Sequence, residues 1–232
     1  MQTAQYRRYN IEGVADAMKA LFGTSVELHE AFAREAGVPD LLKPGRYLYV
    51  HRDPSQLDLN SLSWKLRRDR GGEIEVLEGG ALREAEPELS PEYTRGIRLG
   101  PMGFTLNPFR LTQSYARLFE QKGGTVRRAE VQALRPDGAT VGVETSTGRI
   151  DAEAVVIAAG AWSAKLVRPL GLKLQLIAER GYHMTFPKAG VRLNHVISEV
   201  ERQFAVTPME MGLRFAGTEE LGNADDAPAW RR

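Results

Sequence analysis

The stretch VVIAAGAWSAKL, Val155 to Leu166, decides how this sequence is read. An apolar run, Ala154 to Ala159, ends on Ala158-Ala159-Gly160, and an indole, Trp162, follows at once. A continuous run of this kind is the pattern of a strand buried on both faces of a sheet. Small residues at its carboxyl end let another group approach the backbone, and ligands of open α/β sheets bind at that end. A helix is expected to about Leu170, and helix N-termini favour phosphates. The same residues would also serve for plain packing of a helix on a strand, so the stretch has to be read with its surroundings.

Upstream lies a β-meander: Thr125 to Arg128, Val131 to Leu134, Thr140 to Thr145 and Arg149 to Ala152, with Asp137-Gly138 and Thr147-Gly148 as hairpin turns. Before it stands the strongest helix signal. Asn107 is a good N-cap and Pro108 suits the first helical position. Leu111, Tyr115, Leu118 and Phe119 line one face, and Gly123-Gly124 stop it. Downstream the chain is strand-rich: Leu174 to Phe186, Val196 to Glu199, Phe204 to Thr207 and Leu213 to Ala216.

The first hundred residues alternate helix and strand. Ile11, Val14, Met18, Leu21 and Phe22 recur at helical spacing up to Gly23. Thr24 and Glu27 read as a capping box for a helix that ends at Gly37, before Pro39. Strands are expected at Arg46 to Val50, Glu73 to Glu78 and Gly96 to Gly100. Helices are expected over Pro54 to Arg70 and Ala81 to Glu86.

The totals bound the function. A chain of 232 residues, 42% of them apolar, can bury a real core in one large domain or two small ones. A net charge of +1, with acids and bases mixed, gives no reason to expect nucleic acid. There is no cysteine, hence no disulfide, thiolate metal site or cysteine nucleophile. No apolar run reaches the length of a membrane span, and a soluble cytoplasmic protein is expected, at most peripheral to a membrane. His51-Arg52-Asp53 imitates a kinase catalytic loop, but Pro54 follows where leucine belongs and the partner motifs are missing. No nucleophile elbow occurs. The four histidines stand apart, so no metal is expected.

Taken in order, these features resemble the D-amino-acid oxidase superfamily of FAD-dependent amine oxidoreductases, and most of all its D-amino-acid dehydrogenases and glycine and sarcosine oxidases. The match rests on Glu86-Pro87-Glu88-Leu89, on Asn107-Pro108 with Arg110-Leu111, and on Ala158-Ala159-Gly160-Ala161-Trp162. It continues through Glu179-Arg180-Gly181-Tyr182, Thr207-Pro208 and Gly212 to Thr218. The resemblance implies a mixed α/β fold in which part of a glutathione-reductase-like FAD domain, with its β-meander, is joined to a mainly antiparallel substrate-domain sheet. The implied division gives residues 105–170 to a partial FAD-binding subdomain, and 1–104 with 171–232 to a discontinuous substrate-binding subdomain.

By the same resemblance the cofactor is FAD and the reaction oxidises a carbon–nitrogen bond. Hydride leaves Cα of a D-amino acid or related amine for the flavin, and the imine hydrolyses to a 2-oxo acid and ammonia. The resemblance brings the Val131 backbone to the adenine, Ala158, Ala159 and Gly160 to the dinucleotide, and Trp162 over it, though Trp162 also reads as an ordinary indole. Tyr182 would face substrate or serve as a buried structural tyrosine. Arg214, where the oxidases carry a lysine, would stabilise reduced flavin or a substrate carboxylate, or else form a salt bridge. A quinone or other carrier is the expected electron acceptor. No G-x-G-x-x-G occurs in the chain. The expectation is therefore the middle piece of a longer enzyme, its rival a truncated inactive chain or a non-catalytic interaction module.

Overall fold

The computed structural model describes residues 2–228. In chain order the elements are α1 (Gln2–Phe22), α2 (Ser25–Glu35), β1 (Leu42–His51), α3 (Leu62–Asp69), β2 (Glu73–Glu78), α4 (Gly79–Ala85), β3 (Arg95–Thr105) and α5 (Pro108–Gln121). They continue with β4 (Val131–Asp137), β5 (Thr140–Thr145), β6 (Gly148–Ala152), α6 (Ser163–Val167), β7 (Ala178–Phe186), β8 (Val196–Glu199), β9 (Phe204–Met209) and β10 (Gly212–Gly222). Two sheets result. One has seven strands in the order β2-β3-β1-β8-β9-β10-β7, and the other is the β4-β5-β6 meander. Mixed α/β architecture with a large, mainly antiparallel sheet is what the sequence led us to expect; the β1–β8 pair is parallel.

The chain divides into two compact units. The first comprises Met1–Gly124 and His183–Gly217, and the second Thr125–Tyr182 and Thr218–Arg232. The first unit is built around β1. Leu48 and Val50 on one face of β1 pack with Leu77 of β2, Leu82 of α4 and Ile197 of β8, all nearly inaccessible. Tyr47 and Tyr49 take the other face, where Tyr49 meets the Trp64 ring edge-on. A second cluster, Ala33, Leu41 and Leu111, joins α2 to α5.

Local signals succeed where one residue suffices. Asn107 caps α5 through its side-chain oxygen, which accepts from the Arg110 N–H at 3.0 Å. Gly37 ends α2 at φ +72°. The Thr24–Glu27 capping box does not form. Thr24 sits at φ −105°, ψ 10°, outside the extended region a capping residue needs, and its side chain makes no cap bond. Ser25 instead donates its hydroxyl to the Phe22 carbonyl at 2.7 Å. The helix expected over Pro54 to Arg70 is broken, because Asp53 and Asp58 each accept from the backbone N–H two residues on. Residues 125–128 form no strand.

The largest departure concerns the deciding stretch itself. Ala154 to Ala159 is not a strand but a segment with no regular structure. A strand inside a sheet needs ladder partners on both sides, and no described strand pairs with this run. Val156 is accordingly 91% exposed.

Candidate functional site

The predicted site residues fall into two groups, one in each unit. In the second unit, Val131 opens β4 with its side chain exposed, and α6 packs on β4, where Leu134 and Val167 are buried. Gly160 takes φ +54°, a conformation that favours glycine, and an ideal Cβ there would meet no atom within 4 Å. Ala158 and Gly160 are exposed and Ala159 is half-buried, so the backbone stands open to a close approach. The helix that follows has only five residues between two 3-10 turns. It gives no extended dipole, and the phosphate-binding helix end expected from the sequence is not formed.

Trp162 is held by a residue far along the chain. Its indole N–H donates to Asp225 Oδ1 at 3.1 Å, and its ring remains 51% exposed. Arg180 donates to the Asp226 carbonyl and stands 3.6 Å from Glu220, and the Tyr182 hydroxyl donates to the same Glu220. Trp162, Arg180, Glu220 and Asp226 line a cavity of about 260 Å³. At its edge the neighbouring Glu179 carboxyl holds that of Glu219 above the ordinary carboxylate range. The acidic partners Asp225, Asp226 and Glu220 were not foreseen. They lie 38 to 63 residues from the groups they hold, and no local pattern marks such pairs.

In the first unit, Arg214 lies on β10 directly opposite Thr207 of β9. Its Nε is buried without a hydrogen-bond partner, and Nη2 is 3.4 Å from His183 Nδ1. Guanidinium is only a donor, so in a hydrogen bond between them this imidazole nitrogen is the acceptor. The other arginines on this sheet are paired: Arg46 with Glu73, Arg95 with Glu78, Arg98 with Glu75. Among the described residues no carboxylate stands within ion-pair distance of Arg214. Gly212, which precedes it, is structural. A Cβ there would fall 2.3 Å from the Phe186 carbonyl oxygen, at φ +123°.

Two motifs that carried the resemblance prove to be internal pins. Glu86 is fully buried and accepts from the N–H groups of Asn194 and His195 at 2.9 and 3.1 Å, with His195 Nδ1 also at 3.1 Å. Arg110 and Asn107 converge on Glu210 at the β9–β10 turn, and Arg110 reaches Asp40 at 2.8 Å.

The family pattern described as FAD dependent oxidoreductase (DAO) matches residues 2–232. The chain belongs to the DAO family of FAD-dependent oxidoreductases. Within it, a D-amino-acid oxidase of Bradyrhizobium diazoefficiens is 33% identical over 225 residues, covering 96% of this chain and 53% of that protein. A D-amino acid dehydrogenase of Cereibacter sphaeroides is 33% identical over 193 residues, covering 80% and 44%. The chain thus spans about half the length of the curated DAO relatives it matches. Among solved structures, glycine oxidase from Geobacillus kaustophilus superposes with a TM-score of 0.74 at 22% identity, over 89% of this chain and 56% of that one. L-proline dehydrogenase from P. horikoshii gives 0.72 at 22%, over 89% and 57%. These two share the fold. No helix among the described residues is long and apolar enough to cross a membrane.

Proposed function

We propose that this chain supplies a cofactor wall and a substrate-facing sheet to an FAD-dependent enzyme that oxidises the carbon–nitrogen bond of D-amino acids or related amines. The observation that carries the reading is Arg214, a partly buried cation without an anion among the described residues, on a sheet whose arginines 46, 95, 98 and 180 are ion-paired. FAD, when bound, supplies the hydride acceptor.

The chain's own residues do the rest. Ala158, Ala159 and Gly160 offer backbone free of bulky side chains, and the Val131 backbone belongs to the same wall. Trp162, fixed by Asp225, offers an indole face to a flat ring. Arg214 holds a carboxylate or steadies negative charge that develops next to it. Tyr182, tied to Glu220, supports the sheet from which substrate would be met. In this reading residues 105–170 serve the cofactor, and 1–104 with 171–232 serve the substrate. That is a division by role, distinct from the division by packing.

A guanidinium is broad, planar and readily tied down by two-pronged pairing, unlike the compact, mobile ammonium that suits an oxygen-reactive site. We therefore assign the enzyme to the dehydrogenases, with a quinone or another carrier as acceptor. The test uses flavin-loaded protein from the whole reading frame. A D-amino acid should bleach the flavin and yield a 2-oxo acid, while the L-isomer does neither, and air should then restore the colour much more slowly than turnover. Reoxidation at the speed of turnover would move the assignment to the oxidases, and no bleaching by any amine would refute it.

A further inference from the structure

The four histidines differ in what stands beside them. His195 Nδ1 lies 3.1 Å from the buried Glu86, His51 Nδ1 3.6 Å from Glu201, and His29 Nδ1 3.1 Å from the Tyr115 hydroxyl. His183 on β7 is exposed, and alone of the four it is bonded to a cation, the Arg214 guanidinium of β10. Among the described residues the histidines within ion-pair distance of a carboxylate are His51 and His195. The acids farther along β10 are engaged elsewhere, Glu219 with Glu179 and Glu220 with Arg180 and Tyr182. On the other side of β10, β9 places the uncharged Thr207 opposite Arg214.

In the bond with Arg214, His183 Nδ1 accepts and keeps its lone pair, and the ring hydrogen of the neutral imidazole is on Nε2. An anion on the guanidinium competes for the same N–H donors. A carboxylate that takes Nη2 therefore leaves Nδ1 as a free base next to a charge that has just been neutralised. In a 2-amino acid one carbon, Cα, separates carboxylate from ammonium. The group that frees the base thus brings its own proton donor within hydrogen-bond reach.

We propose that His183 is the proton acceptor of the reaction. The substrate carboxylate engages Arg214 and releases His183 Nδ1. One N–H bond of the substrate ammonium then breaks, its proton forms the Nδ1–H bond of an imidazolium, and the electron pair stays on the amine nitrogen. Ammonium and neutral imidazole become free amine and imidazolium, and no other reactant is needed. Only the free amine has the lone pair that becomes part of the imine double bond when the carbon–nitrogen bond is oxidised. The proposal rests on the anion-holding role given to Arg214 above, and it adds the residue that prepares the amine.

The experiment separates the two roles. Acetate, an anion without an ammonium, is titrated into the 232-residue chain. An imidazolium beside Arg214 adds a second positive charge, so acetate should bind the parent about fivefold tighter at about pH 5.5 than at about pH 8. His183→Gln keeps an acceptor for the guanidinium in its amide oxygen. It should match the parent within about twofold at the higher pH and lose the gain at the lower one. Arg214→Gln should weaken acetate about tenfold at both. Equal affinity of the parent at the two pH values overturns the proton-acceptor role, while a loss in Arg214→Gln still upholds the anion role. If acetate does not bind, or if Arg214→Gln changes nothing, both fall together. The second measurement uses the flavin-loaded protein of the whole reading frame and whichever D-amino acid bleaches the parent. His183→Gln should slow the bleaching about a hundredfold at about pH 7 and recover toward the parent at about pH 10, where the substrate arrives as free amine. Undiminished speed at the lower pH shows that no base is needed there, and no recovery at the higher pH shows that the loss is not that of a base. Either result overturns the proposal.

Discussion

The two compact units reach order by different means. The first holds nearly all the buried apolar side chains, gathered around β1, and its exposed charges are matched in pairs across neighbouring strands. In the second, Leu134 and Val167 are the buried apolar side chains among the described residues, and much of 153–177 is irregular. Apolar residues there stand in solvent: Val156, Leu172, Leu174, Leu176 and Ile177. What fixes this unit is polar, a few long-range bonds from Trp162, Arg180 and Tyr182 to one acidic segment. The contrast separates a platform that specifies itself from a wall whose apolar residues are left for something else to cover.

The strongest way to break this contrast is Glu86→Ala. It strips a fully buried carboxylate from two backbone N–H donors and the His195 ring, and should cost about 3–5 kcal/mol by urea denaturation. A loss below 1 kcal/mol would mean that the first unit does not depend on its polar pins. Next comes a matched pair. Leu48→Ala should cost about 2–5 kcal/mol, because the surrounding cluster cannot close on the void. Val156→Ala should change stability by less than about 0.5 kcal/mol, its side chain being in solvent already. Similar losses at both positions would erase the difference between the units.

A finer comparison sets two helix starts against each other. Asn107→Ala should cost about 1–2 kcal/mol, since it removes both the Arg110 cap bond and the bond to Glu210. Thr24→Ala, which loses no cap bond, should lie within about 0.5 kcal/mol of the parent.

The smallest effect concerns acid. Burial alone would raise the Glu201 carboxyl, but the backbone N–H groups of its own residue, Asp53 and Arg52, with nearby His51, outweigh it and hold the group below the ordinary value. A lowered carboxylate stabilises the fold above its unfolded value, and that share is lost as pH falls through the lowered one. Glu201→Gln should lower stability at neutral pH by under about 1 kcal/mol and converge with the parent as pH falls, which flattens the acid limb of the stability curve.

What was legible in the sequence follows from the range of each interaction. The Asn107-Pro108 start, the Gly37 stop and the hairpin turns of the meander depend on adjacent residues, and these came out where they were expected, the two turns to within one residue. The Thr24–Glu27 box matched its pattern, yet backbone context overrode it. Val155 to Ala159 has the composition of a buried strand, but composition only states a need for neighbours and cannot supply them. Of the proposed site, Arg214 and Trp162 could be named in advance. Asp225 and Glu220 could not, since each meets its partner from far along the chain.

Hydrogen exchange read by mass spectrometry tests the contrast most directly. Amides of β1 and β8 lie in a paired central ladder over the Leu48 cluster and should open only with global unfolding. Amides of 154–160 have no ladder and should exchange at nearly the rate of an unstructured peptide. Comparable protection of the two segments would contradict the account, because it would mean that the wall, like the platform, is ordered by the chain alone.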